Sequence, residues 1–177
     1  MAALVHAHGP CLLRAHGRTP FETLVTSIIS QQLSTRAAAT IKQRLLTVVP
    51  AFSATDFLTA SPEALRGAGL SSPKVRYILE LSRQASDKRL DFDTLRLRAD
   101  DDVIAALTAL PGVGRWTAEM FLIFSLQRPD VLSLGDAGLR RAVRLLYGET
   151  ARLQDVGQAW RPYASTASWY LWRHLDT

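Results

Sequence analysis

Residues 110–118 read Leu-Pro-Gly-Val-Gly-Arg-Trp-Thr-Ala, and this segment constrains the chain more than any other. One proline and two glycines within the four residues 111–114 break any helix or strand and demand a tight turn. The apolar stretch from Arg115 to Leu126 that follows carries a helical pattern. Residues Asp100 to Ala109, before the turn, do the same. The glycines admit positive φ and leave main-chain N–H groups uncovered where a helix begins, and there the macrodipole favours an anion. Spacing alone leaves two readings open: a phosphate cradle and a plain corner between two helices.

The remainder of the 177 residues is helical in pattern. Phe21, Leu24, Val25 and Ile28 recur at helical spacing and predict a helix over Pro20 to Ile29. Ser34 or Thr35 caps a second helix through Val49, stopped by Pro50. Ser61-Pro62-Glu63-Ala64 opens a short helix ending at Gly67 or Gly69. Ser72-Pro73 opens another, to about Ser86. Asp100, Asp101 and Asp102 read as a solvated helix start. Without strand alternation or a low-complexity linker, the expectation is one all-α unit over residues 1–177, with roughly eight to ten helices.

Charge narrows the partner. The 21 Lys and Arg outweigh 16 Asp and Glu, for a net charge of +5. The lysines are only Lys42, Lys74 and Lys88, and the other basic residues are arginine, the better phosphate fork. The balance favours a polyanion, with a solubility surplus as the plain alternative. A single cysteine, Cys11, excludes an intramolecular disulfide, a cysteine zinc site and an iron–sulfur cluster. His6, His8, His16 and His174 have no zinc-type spacing. No run approaches the roughly 20 apolar residues of a membrane span. The N-terminus has no clean apolar leader, and mature cytosolic sequence is the expectation.

The segment Leu110–Ala118 resembles the helix–hairpin–helix signature of the base-excision DNA glycosylase superfamily. Downstream, Asp130-Val131-Leu132-Ser133-Leu134-Gly135-Asp136 and then Leu139-Arg140-Arg141-Ala142 resemble that family's apolar loop ending in an aspartate. Upstream, Phe21 to Val25 and Ile29-Ser30-Gln31-Gln32-Leu33-Ser34 are similar to its DNA-wedge segment. Trp160 to Ala164 and Tyr170-Leu171-Trp172 are similar to the alkyl-base branch, of the 3-methyladenine DNA glycosylase II type. The chain begins almost directly at the helical region, so it resembles a short form without the N-terminal β-rich domain. Lyase members of the superfamily carry a lysine just after the hairpin arginine, and here that position is Trp116.

The resemblance implies an all-α fold with two helical lobes around a cleft. It also implies a monofunctional glycosylase that flips an alkylated base out of duplex DNA and hydrolyses its N-glycosidic bond. Breaking that bond leaves positive charge on the sugar, which a nearby carboxylate stabilises. Asp136, just before a helix, is the candidate, and a helix cap is its plain structural use. Glu119 is the alternative acid. Extrusion leaves a gap in the stack. By resemblance Gln32 fills it, flanked by Gln31 and Leu33, while local capping by the two glutamines is the other reading. By resemblance Trp116 and Trp172, with Met120, line the pocket for a cationic base, and Trp160 and Trp169 are read as core. Gly112, Val113, Gly114 and Arg115 would hold a phosphate. Arg140, Arg141 and Arg144, opposite Leu139, Ala142, Val143 and Leu146, would hold others or form a solvated face. By resemblance main-chain carbonyls of Thr108, Leu110 and Val113 bind a monovalent cation, sodium or potassium, and no other cofactor is implied. The partner is damaged double-stranded DNA, with no membrane, and the chain is expected to be a cytoplasmic, nucleoid-associated monomer. Two other functions stay open: a non-catalytic helix–hairpin–helix DNA-binding protein, and a glycosylase of different base specificity.

Overall fold

The structure, a computed structural model, describes residues 1–13 and 17–176. Its helices are α1 (Ala2–His8), α2 (Pro20–Ser30), α3 (Thr35–Val48), α4 (Ala54–Thr59), α5 (Pro62–Gly67), α6 (Ser72–Ser86), α7 (Phe92–Leu97), α8 (Asp100–Thr108), α9 (Arg115–Phe124), α10 (Ala137–Tyr147), α11 (Leu153–Val156) and α12 (Ala164–Leu175), with a 3-10 turn at Gly157–Trp160. No strand occurs among the described residues. Among them, no helix is long and apolar enough to cross a membrane.

Helix starts follow local chemistry. The Thr19 side chain accepts the Glu22 N–H while the Glu22 side chain accepts the Thr19 N–H, a capping box with Pro20 at the first helical position. Ser34, Ser61 and Ser71 each accept an N–H three residues on. The cap of α6 is therefore Ser71, one residue before the expected Ser72. Helix α9 ends at Phe124, short of Leu126, because the Ser125 and Leu126 N–H groups both donate to the Phe121 carbonyl and Gln127 turns to φ 55°. Helices α1, α4, α7 and α11 are additional to the sequence expectation, at four to seven residues too short for a clear periodicity.

The chain divides into two compact units, Gly17–Ala118 and Met1–His16 with Glu119–Thr177. The first packs α2 and α4 against α6. Its core holds Leu24, Ile28, Leu45, Phe52, Phe57, Leu65 and Ile78, all at or near zero exposure. Phe52 and Phe57 meet edge to face at 5.2 Å. The second packs α10 and α1 against α12 around Leu4, Leu139, Val143, Trp160, Tyr170 and Leu171. The Tyr170 hydroxyl donates to the Gly9 carbonyl at 2.8 Å, fastening the end of α1. Trp160 is buried in this core and Trp169 packs on it, edge-on to Tyr170, as expected. Leu146, expected on the buried face of α10, is instead exposed with Leu145 and Tyr147, since the last turn of that helix extends past the core.

Candidate active site

The loop between α9 and α10 is held along its length. The Val131 N–H donates to Ser165 Oγ at 3.0 Å, and the Ser165 hydroxyl donates to the Arg128 carbonyl at 2.6 Å. The Asp130 carboxylate accepts from Arg161 Nη1 at 3.1 Å and from the Ala164 N–H at 3.3 Å. Ser133 is fully buried, and its hydroxyl donates to Glu119 Oε2. The Ser133 carbonyl then accepts the Asp136 N–H at 3.1 Å. Glu119, itself buried, thus anchors the loop that carries Asp136.

Asp136 is 7% exposed. Its Oδ1 accepts the Leu139 N–H at 2.7 Å, which caps α10. The same oxygen accepts the indole N–H of Trp172, on α12, at 3.2 Å. Two N–H donors and the positive end of a helix surround one carboxylate. A Cβ at Gly138 would stand 3.1 Å from Asp136 Oδ1 and 3.5 Å from Trp172 Cδ1, so the missing side chain makes room for this contact. The Trp172 ring also stacks on Phe124, with centroids 5.8 Å apart and planes at 28°. Phe124 and the indole hydrogen bond have no signal in sequence spacing.

On α9, Trp116 is 45% exposed and Met120 is buried, one helical turn apart. The hairpin before them is a type II turn: the Val113 N–H returns to the Leu110 carbonyl at 3.1 Å, with Pro111 leading and Gly112 at φ 80°. The Val113 N–H is thereby engaged in the turn. A Cβ at Gly112 would lie 2.2 Å from the Tyr77 ring, so this glycine also lets the turn settle onto α6. Helix α9 opens just beyond, with the Gly114 carbonyl accepting the Ala118 N–H at 3.1 Å. First-turn amides of such a helix point out of its end.

Of the three residues after α2, Gln32 and Leu33 are exposed and Gln31 is half-buried. Gln31 Nε2 donates to the Gly112 carbonyl at 2.8 Å, so its amide ties this turn to the hairpin. Gln32 is at φ 58°, a left-handed conformation that costs a non-glycine residue about 1–2 kcal/mol. The half-buried tie and the strained, exposed neighbour give the two glutamines different parts.

Arg140 and Arg144, on one stripe of α10, line a groove of about 360 Å³ with Arg152, Glu149 and Gln154. Arg141 is exposed but lies outside that lining. Arg152 is a basic residue the sequence reading missed. Among the described residues no cluster of His, Cys, Asp or Glu could hold a metal ion. His8 and His174 meet edge-on at 6.1 Å, and His16 lies outside the described residues.

The type II turn joins α8 to α9 as a helix–hairpin–helix unit, and the Asp136 carboxylate caps the next helix, α10. The family model for HhH-GPD superfamily base excision DNA repair proteins matches residues 25–159, and the chain belongs to that superfamily. It is similar to an alkylbase DNA glycosidase-like protein of Schizosaccharomyces pombe, 27% identical over 97% of this chain and 86% of that protein. Among solved structures it resembles a DNA-3-methyladenine glycosidase from Bacillus halodurans, with a TM-score of 0.87 and 39% identity over 99% of this chain and 84% of that one. It also resembles the Schizosaccharomyces pombe 3-methyladenine DNA glycosylase bound to abasic DNA, with a TM-score of 0.86 and 26% identity over 99% of this chain and 91% of that one.

Proposed function

We propose that residues 1–177 act as one monofunctional DNA glycosylase that extrudes an alkylated base from duplex DNA and hydrolyses its N-glycosidic bond. The observation that carries this is the buried Asp136 carboxylate, gripped by the Leu139 N–H and the Trp172 indole. As the C1′–N bond breaks, its electron pair leaves with the base and positive charge grows on the sugar. A fixed carboxylate lowers the energy of that charge without reorganising. Water then adds to C1′, and Asp136 orients it and takes its proton. An alkylated purine that is already cationic departs as a neutral base, so no strong general acid is required. The names of the similar proteins support an alkylated base as substrate.

Duplex DNA would be gripped at Gly112, Gly114 and Arg115 of the hairpin, the expected Val113 N–H being taken by the Leu110 carbonyl, and at Arg140, Arg141 and Arg144, with contacts to phosphates that carry no sequence information. Gln32 would enter the vacated stack, with Leu33 beside it, and Trp116, Met120 and Trp172 would flank the base. Carbonyl oxygens at Thr108, Leu110 and Val113 suit a hard cation. Thr108 ends α8, where carbonyls point past the last turn, and the Leu110 oxygen keeps a second lone pair beyond its bond to Val113. Sodium or potassium bound there would brace the hairpin. A DNA substrate implies residence with the chromosome.

The test is base release from a panel of alkylated duplex oligonucleotides by the wild type and Asp136→Asn. Wild type should release base, and Asp136→Asn should lose release by about 10²–10³-fold while retaining DNA affinity. Binding without release by the wild type across the panel would leave a non-catalytic DNA-binding protein.

A further inference from the structure

We propose that Lys74 is a positioning residue for nucleotide extrusion, its ammonium holding the turn that presents Gln32 in one geometry. This rests on the reading of Gln32 as the wedge. Helix α2 ends at Ser30, and its last carbonyls have no partners within the helix. The Ile28 carbonyl accepts the Gln31 N–H at 3.4 Å, and the Ser30 carbonyl accepts the Leu33 N–H at 3.2 Å. The Ile29 carbonyl, and that of the cap residue Gln31 just beyond the helix, both accept from Lys74 Nζ, each at 2.7 Å. A single side chain from α6 thus completes the end of α2 and grips the residue immediately before Gln32. The negative end of the α2 dipole draws the same charge.

The same turn is fixed on its other side. Gln31 donates to the Gly112 carbonyl at 2.8 Å, so its side chain ties it to the hairpin while its own carbonyl is held by Lys74. A residue in a left-handed conformation, as Gln32 is, persists where its surroundings over-determine it. Burial lowers the Lys74 pKa from its ordinary value, and the two carbonyls offset part of the cost of removing the charge from water. Without the ammonium, two carbonyls lose their donor and the turn can relax away from the DNA. Chemistry at the sugar is untouched by that change, whereas displacement of a paired base is not.

Single-turnover base release by the wild type, Lys74→Met, Lys74→Arg and Gln32→Ala separates these effects. Each is assayed with the same alkylated base in a fully paired duplex and in a duplex where it faces an abasic site, so that no pairing opposes extrusion. Melting temperatures are measured on the same samples. Lys74→Met should lose about tenfold on the paired duplex, equivalent to about 1.4 kcal/mol of the few kcal/mol that extrusion costs. On the unpaired substrate it should stay within about threefold of wild type. Lys74→Arg should recover most of the paired-duplex rate, since charge and donors remain. Equal loss on both substrates would overturn the proposal, making Lys74 a merely structural residue. An unimpaired Lys74→Met beside an impaired Gln32→Ala would also overturn it, leaving the wedge reading intact. If neither variant is impaired on the paired duplex, the wedge reading itself fails and takes this one with it. Should Lys74→Met not fold, Lys74→Gln, neutral and one bond too short to bridge both carbonyls, carries the same comparison.

Discussion

In Trp172→Phe the indole N–H that donates to Asp136 Oδ1 at 3.2 Å is lost, while a ring remains to stack where Phe124 now faces the indole at 5.8 Å. A hydrogen bond to a charged group contributes about 1.5–3 kcal/mol. The lower end applies here, because the bond is long and the Leu139 N–H still holds the same oxygen at 2.7 Å. About 1.5 kcal/mol corresponds to roughly a tenfold loss of single-turnover base release. The smaller ring should cost about 1–2 kcal/mol of stability, or roughly 2–8 °C in Tm. Trp172→Ala removes the stack as well and should cost about 3–5 kcal/mol, or roughly 6–20 °C. If Trp172 served only as a ring face for a cationic base, phenylalanine would preserve most of the rate. The assay is therefore single-turnover release from an alkylated duplex at a temperature where every variant is folded, with Tm measured in parallel. A Trp172→Phe enzyme within about twofold of wild type would refute the argument that the indole N–H sets the carboxylate.

Gly112→Ala should destabilise the protein by about 2–4 kcal/mol, combining the φ strain with displacement of the Tyr77 ring. Adding Tyr77→Ala should recover only the steric share, and thermal melts of both variants check this. Borohydride treatment of the enzyme with an abasic duplex should trap no covalent complex, because Trp116 stands where a lyase has its lysine. An adduct at Lys42, Lys74 or Lys88, located by peptide mass spectrometry, would refute the monofunctional reading.

Much of this protein was legible in the sequence, for one physical reason: the interactions concerned close over three or four residues. Thr19 with Glu22, Ser34, Ser61 and Asp136 all bond a backbone N–H three positions away, so helix starts appear as spacing. The hairpin at 110–114 is likewise a matter of local dihedrals, and Gly112 has to be glycine before any packing is considered. The same local rules pointed to Asp136 as a helix cap, and the resemblance added the chemical role proposed for it. They were less exact where a helix runs out, as at Phe124 and Leu146, because an end depends on what the core reaches.

What the side chains do for one another needed the tertiary structure. Trp172 and Asp136 are 36 residues apart, Lys74 and Gln31 43, and Gln31 and Gly112 81. No periodicity links such positions, since the chain between them is free to take any path until the core closes it. The bonds of Lys74 and Gln31 also fall on main-chain carbonyl oxygens, which look alike at every position of the sequence. Packing α10 against α12, and α2 against α6, is what turns a tryptophan into a carboxylate clamp and a lysine into the cap of another helix.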